Sequence, residues 1–183
     1  ALVVRSTAAE VLFEAADPAE FDAVVLVDAP EAVRLHRLVT MRGLPREDAE
    51  RLIAAQLPSD TKRPRSQFVI DNDGDRAQLE RRARDVARRD SLTALYNDRY
   101  FHKKLQQEID RLALSGDADL TLLFLDCDHL KAVNDEHGHL AGSQILREVA
   151  FVLQRQRATT TSLPCRYGGD EFTILLRGLT TAA

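Results

Sequence analysis

The chain has 183 residues, a net charge of -4 and an apolar fraction of 44%, which suits one globular domain or two small ones. The slight acidity argues against a general nucleic-acid or anionic-membrane binder, and no apolar run approaches the roughly 18 residues of a membrane span. Two cysteines without metal-ligand spacing, and no visible signal peptide, lead us to expect reduced thiols in a cytoplasmic protein.

The first half alternates strand and helix patterns. Phe21-Asp22-Ala23-Val24-Val25-Leu26-Val27-Asp28 contains a continuous β-branched run, predicted to be a strand buried on both faces. Pro30-Glu31 opens a helix bearing Val33, Leu35, Leu38 and Val39, because Pro in the first turn followed by an acid suits a helix N-terminus. A second helix starts from Pro45-Arg46-Glu47-Asp48 and carries Ala49, Leu52, Ile53 and Ala54. Phe68-Val69-Ile70-Asp71-Asn72 reads as another short strand. From Asp75 to about Arg89 a helix places Leu79, Ala83 and Val86 on one stripe.

The second half begins near Asp90 and has the order α-β-α-α-β-β. An amphipathic helix from Asn97 to Leu114 runs through Phe101, Leu105, Ile109 and Leu112, and Ser115-Gly116-Asp117 breaks it. Leu120 to Leu125 is an apolar strand. A short helix from Lys131 to Glu136 stops at Gly138. A longer one from Leu140 to Gln154 is predicted to turn Ile145, Leu146, Val149 and Val152 to the core, and Arg166 to Leu176 forms a hairpin.

Two of these strands carry acids at one end: Asp126 after Leu125, and Asp170-Glu171 before Phe172. Gly168 and Gly169 permit a tight turn and leave room for a bulky ligand. If the strands are neighbours, Asp126 and Asp170 converge. Hard carboxylate oxygens without His or thiolate partners suit Mg²⁺ carrying substrate phosphates. Gly-Gly-Asp-Glu alone fits a solvated hairpin turn better.

The wider string settles between them. Asp126-Cys127-Asp128-His129-Leu130-Lys131, Asn134-Asp135, Gly138-His139, Gly142 and Arg166-Tyr167-Gly168-Gly169-Asp170-Glu171-Phe172 follow an opening Asp90-Ser91-Leu92-Thr93-Ala94-Leu95-Tyr96-Asn97. Together they resemble the GGDEF family, the diguanylate cyclases that condense two GTP into cyclic di-GMP. The resemblance implies a palm-like α+β domain over about residues 89–183, with its C-terminal part missing. It implies Mg²⁺, or Mn²⁺, held by Asp126, Asp170 and the backbone carbonyl of Cys127. It gives Asp170 a catalytic role in deprotonating the ribose 3′-hydroxyl, and makes Glu171 a second carboxylate at the metal or triphosphate. Leu130 and Lys131 would meet the phosphates, Asn134 and Ser143 the guanine edge, and His139 the nucleotide pocket. Two such domains must face each other, so a homodimer is implied, with GTP as ligand, no nucleic-acid polymer and no membrane.

Residues of about 10–88 resemble the C-terminal part of dephospho-CoA kinase, an α/β P-loop fold. Leu12-Phe13-Glu14, Val25-Leu26-Val27-Asp28-Ala29-Pro30-Glu31, Arg37, Arg42, Ala54-Ala55-Gln56, Lys62-Arg63 and Val69-Ile70-Asp71-Asn72-Asp73-Gly74 carry that likeness. No Gly-x-x-x-x-Gly-Lys-Ser/Thr loop occurs in the 183 residues, so ATP phosphates have no cradle here and a kinase-like fragment without kinase activity is expected. The chain starts at Ala1 rather than Met and stops soon after a strand, so both ends are expected to be cut.

The GGDEF likeness has two further departures. Ser143 stands where the family usually carries Asp. A hydroxyl offers one short contact where a carboxylate accepts from two guanine N–H groups, a loss of about 1.5–3 kcal/mol. Thr159-Thr160-Thr161-Ser162 occupies the place of the Arg-x-x-Asp product-inhibition motif, so feedback at that site is expected to be absent.

Overall fold

The computed structural model describes residues 21, 23–115, 119–155 and 162–178. Leu12-Phe13-Glu14, the Gly116-Asp117 break and Thr159 to Thr161 lie outside them. The chain divides into two compact units, Ala1–Val86 and Ala87–Ala183.

In the first unit, β1 (Val25–Asp28) and β2 (Phe68–Asp71) pair in parallel, Val25 opposite Phe68 and Asp28 opposite Asp71. Between them lie α1 (Glu31–Thr40), α2 (Arg46–Ala54), α3 (Ser59–Lys62) and a 3₁₀ turn over Arg63–Arg65, and α4 (Arg76–Val86) follows. Pro30, Pro45 and Pro58 each stand just before a helix, where the fixed φ is compatible and no N–H is lost from the ladder. The β1 expectation is corrected: Val24 is buried, but Val25 and Val27 are 45% and 53% exposed. Among the described residues β1 has only β2 beside it, so a sheet of two strands covers one face.

Polar links tie the ends of the two strands. Arg63 Nη1 bridges Asp28 at 2.7 Å and Asp71 at 3.0 Å, and Ser59 Oγ donates to Asp28 at 2.6 Å. Arg37 donates to the carbonyls of Asn72 and Gly74. Burial pushes the Asp28 pKa up, but the Ser59 hydroxyl and the Arg63 guanidinium outweigh it and leave the carboxyl below its usual range. A lowered folded-state pKa stabilises the fold above the unfolded value of about 4 and loses that contribution as pH falls through the folded one. Arg63→Met is therefore expected to raise the pH of acid unfolding, followed by far-UV circular dichroism from neutral pH downward. An unchanged midpoint would remove the ion pair from the acid response.

The second unit is built on a four-stranded sheet in the order β3-β5-β6-β4. Its elements are β3 (Tyr96–Asn97), α5 (Asp98–Ser115), β4 (Leu120–Asp126), α6 (Leu130–His137), α7 (His139–Arg155), β5 (Ser162–Arg166) and β6 (Glu171–Arg177). β3 runs parallel to β5, whereas β6 is antiparallel to both β5 and β4. Leu95, Leu130, Leu146, Ala150 and Phe172 form the buried core, with Leu92, Cys127, Val149 and Leu153 packed against it. A fully buried side chain such as Phe172 contributes about 1.5–3 kcal/mol by leaving water.

Two expectations for this core are corrected. Ile145 and Val152 on α7 are exposed, while Gly142, Leu146 and Ala150 are buried. Leu146 is buried and Val149 packs against the core as expected, and the small residues Gly142 and Ala150 complete the stripe. On α5, Ile109 is 46% exposed and its neighbour Glu108 is buried. Glu108 turns inward because Arg111 reaches it at 3.0 Å and Arg177 pairs with it from β6.

The helix expected to reach Arg89 ends at Val86. Asn97 accounts for this by claiming the backbone beyond it. Its amide Nδ2 donates to the carbonyls of Ala87 and Arg89, and its backbone N–H donates to Arg88. Those carbonyls are then pulled out of a helical ladder. Among the described residues, no helix is long and apolar enough to cross a membrane.

Candidate functional site

The sheet register builds the acidic end. β4 and β6 pair over seven residues each, and Asp126 stands directly opposite Glu171. Opposed residues of an antiparallel pair share a face, so these two carboxylates project on one side. One step further, Cys127 N–H donates to the Asp170 carbonyl at 3.1 Å, which extends the pairing into the turn. Burial raises the Cys127 thiol pKa, and the negative charges of Asp126, Asp170 and Asp128 raise it further. The Cys127 side chain packs against the apolar core, which leaves its carbonyl as the hard donor available to a cation.

The turn itself is held from both sides. Tyr167 and Gly168 both donate their N–H to the Glu171 carbonyl, at 2.8 and 3.2 Å. A Cβ on Gly168 would lie 3.3 Å from Glu171 Cδ and closer still to Oε2, so the absence of a side chain lets Glu171 fold against the backbone. Arg166 Nη2 donates to the Gly169 carbonyl at 2.7 Å, and Nη1 reaches Asp90 at 3.1 Å. Asp90 in turn accepts from Thr93 N–H and Thr93 Oγ1 at 2.8 and 2.6 Å. The opening Asp-Ser-Leu-Thr signature therefore anchors the glycine turn through Arg166. Sequence reading gave Asp90 no role, because the link crosses 76 positions and leaves no local pattern.

The other site residues lie on α6 and α7. His129 adopts a left-handed conformation at φ 63° just before α6, and Leu130 N–H approaches the Cys127 carbonyl at 3.4 Å. Leu130 is buried in the core, whereas Lys131 and His139 are exposed. Asn134 lies against Gly142, where a Cβ would come within 2.9 Å of Asn134 Cγ. Ser143, half-buried, is the next residue. The structure thus joins Asp126, Cys127, Asp170 and Glu171 at one strand end and brings Asn134 to the residue beside Ser143. Among the described residues, no side-chain hydrogen bond or ion pair links Lys131 or His139 to either group. Sequence reasoning missed Gly142 as a packing requirement. A glycine inside an amphipathic helix pattern was the available signal.

Among the described residues, no three His, Cys, Asp or Glu side chains are gathered as a metal cluster. Two carboxylates and a carbonyl are nevertheless an all-oxygen donor set, which fits a hard cation that takes its remaining ligands from phosphates and water. A cleft of about 420 Å³ lined by Arg34, Arg37, Arg42 and Gln56 belongs to the first unit and contains none of these residues.

The architecture is that of a GGDEF domain. The coiled coil and GGDEF domain of DgcB from Caulobacter crescentus, solved in complex with c-di-GMP, superposes with a TM-score of 0.52 at 28% identity, covering 75% of this chain and 63% of that one. Residues 87–183 match the family described as "Diguanylate cyclase, GGDEF domain", and the chain belongs to that family. An uncharacterized signaling protein of Caulobacter vibrioides is 34% identical over 95% of this chain and 20% of its own length. The diguanylate cyclase DgcP of Pseudomonas aeruginosa is 42% identical over 51% of this chain and 14% of its own. The chain thus spans a fifth or less of the length of these curated relatives. Residues 5–78 also match the dephospho-CoA kinase family, weakly, and the relatives do not confirm that match.

Proposed function

We propose that the second unit is a diguanylate cyclase domain that binds GTP with Mg²⁺, or Mn²⁺, and condenses two GTP into cyclic di-GMP within a homodimer. The observation carrying this reading is the β4–β6 register, with Asp126 opposite Glu171 and Cys127 bonded to Asp170. Asp126, Asp170 and the Cys127 carbonyl are the residues that would hold the cation. When bound, it supplies positive charge to the triphosphate and acidifies the attacking hydroxyl. Asp170 is then placed in the role of accepting the 3′-hydroxyl proton, and Glu171 in that of a second carboxylate at the triphosphate. The backbone at Leu130 and the charge of Lys131 face phosphate, Asn134 and Ser143 read the base edge, and His139 borders the pocket. Because each 3′-hydroxyl must reach the α-phosphorus of the other nucleotide, pairing of two domains is part of catalysis. The composition and the lack of a spanning helix among the described residues support a cytoplasmic site of action.

The first unit, within residues 1–88, is proposed to be a dephospho-CoA kinase-like fragment without kinase activity. The parallel β1–β2 pair flanked by helices and the match over residues 5–78 support it.

Incubating the 183-residue chain with GTP and Mg²⁺, then separating nucleotides by chromatography, tests the main reading. Cyclic di-GMP and pyrophosphate are the expected products. GTP bound without product would instead identify a nucleotide-sensing module, and the absence of both would end the proposal.

A further inference from the structure

We infer that Tyr167 is a positioning residue for the strand-end carboxylates; this rests on the cyclase reading above. Its ring, set against Phe101 on α5 and Phe124 on β4, holds the glycine turn where Asp170 and Glu171 stand with Asp126. The turn needs an anchor from its flanks. Gly168 and Gly169 have no side chains, and a Cβ on Gly169 would meet nothing within 4 Å.

The register places Tyr167 beside the acids. Its N–H donates to the Glu171 carbonyl at 2.8 Å, one step beyond the Arg166–Phe172 pair, and Asp126 is opposite Glu171 on the other side. Opposed residues of antiparallel strands share a face, so Tyr167, Glu171 and Asp126 form one row. The next row on that face is Cys165, Thr173 and Phe124. Cys165 and Thr173 are small and fully buried, which leaves room for the larger rings on either side. Tyr167 and Phe124 meet across β6, with centroids 5.2 Å apart and planes at 77°. Phe101, 1% exposed, meets the same tyrosine ring edge-on at 5.6 Å and 89°. Edge-to-face packing is a favoured and directional arrangement of aromatic rings. Phe124 stands two residues before Asp126, and Tyr167 three before Asp170. The ring contact is thus a strut between the two segments that carry the proposed cation ligands. A shift of about 1 Å in a reacting group can cost about 10²-fold in rate, so a strut of this kind bears on chemistry.

Tyr167→Leu, which keeps apolar bulk but removes the ring, tests the inference in the 183-residue chain. With GTP and Mg²⁺, kcat for cyclic di-GMP formation is expected to fall by about 10–100-fold, the scale for losing a group that orients metal ligands. Affinity for Mn²⁺ alone, read by electron paramagnetic resonance, is expected to weaken by about tenfold or more. Tyr167→Phe keeps the ring and should restore most of both. A residue that only packs would lower the melting temperature and leave kcat and Mn²⁺ affinity of the folded protein unchanged, and that result would overturn the inference. Should Tyr167→Leu fail to fold, Phe124→Leu decides, because Phe124 is 58% exposed and removes the same contact from the other side. A lower kcat there supports the strut, and an unchanged one overturns it. If the unaltered chain makes no cyclic di-GMP, the cyclase reading falls and the Mn²⁺ comparison decides for Tyr167. Neither product nor Mn²⁺ binding would overturn both.

Discussion

Asp126→Ala and Asp170→Ala are each expected to lower Mg²⁺-dependent cyclic di-GMP formation by at least about 10²–10³-fold, the scale set by removing one preorganised electrostatic group from a reacting centre. The loss should be chemical rather than structural. Asp126 is exposed at the end of β4, and Asp170 lies in the turn between β5 and β6. Neither carboxylate makes a side-chain hydrogen bond or ion pair among the described residues. Only the Asp170 backbone is engaged, through Cys127 N–H. Removing a side chain that has no side-chain hydrogen bond or ion pair and lies outside the core shifts stability by about 0.5 kcal/mol or less. The melting temperature should therefore hold while product disappears, read by chromatography after incubation with GTP. The more telling readout is the metal dependence. If these carboxylates hold the cation, a variant that retains some turnover should need more Mg²⁺ to reach half its rate. Full activity in Asp126→Ala at an unchanged Mg²⁺ requirement would remove the strand-end acids from the chemistry.

How far the fold could be read from the residues depended on whether the signal was local. β4 and the hairpin declared themselves through short apolar runs bounded by acids and glycines, and their register follows from seven continuous pairs. β3 has only two residues, too few for any periodicity, and exists because β5 lies beside it. On α7 the large aliphatics pointed rightly to Leu146 and Val149 but also to Ile145 and Val152, which are exposed. The core contact runs through Gly142, Leu146 and Ala150, whose small members carry little hydrophobic signal of their own. The same limit applied to the site. The acids were legible as types at strand ends, but the Asp90–Arg166–Gly169 chain that fixes the turn joins distant segments and emerges only after folding. Glu108 is a similar case, since an acid in an amphipathic helix reads as solvated until two arginines are found around it.

Gly142→Ala is expected to separate stability from binding. Gly142 lies inside α7 with no left-handed backbone angle, so the conformation itself does not demand glycine. In a helix interior, Ala is favoured over Gly by about 0.8–1.0 kcal/mol. Yet the new methyl would overlap the Asn134 amide, which now rests where the Cβ would stand. The amide is the far end of a flexible side chain and can swing away, so the helix should tolerate the substitution and melt no earlier than the original. Asn134 would then leave the edge at which it is proposed to read the base. Losing one ligand hydrogen bond of this kind costs about 1 kcal/mol, and a misplaced amide that blocks its neighbour adds to that, so affinity for a GTP analogue should fall by about tenfold or more. Thermal melting and calorimetric titration on the same sample give the two numbers. Unchanged affinity together with unchanged or higher stability would mean that Asn134 does not touch the nucleotide, and the base pocket would have to be sought elsewhere on α6 and α7.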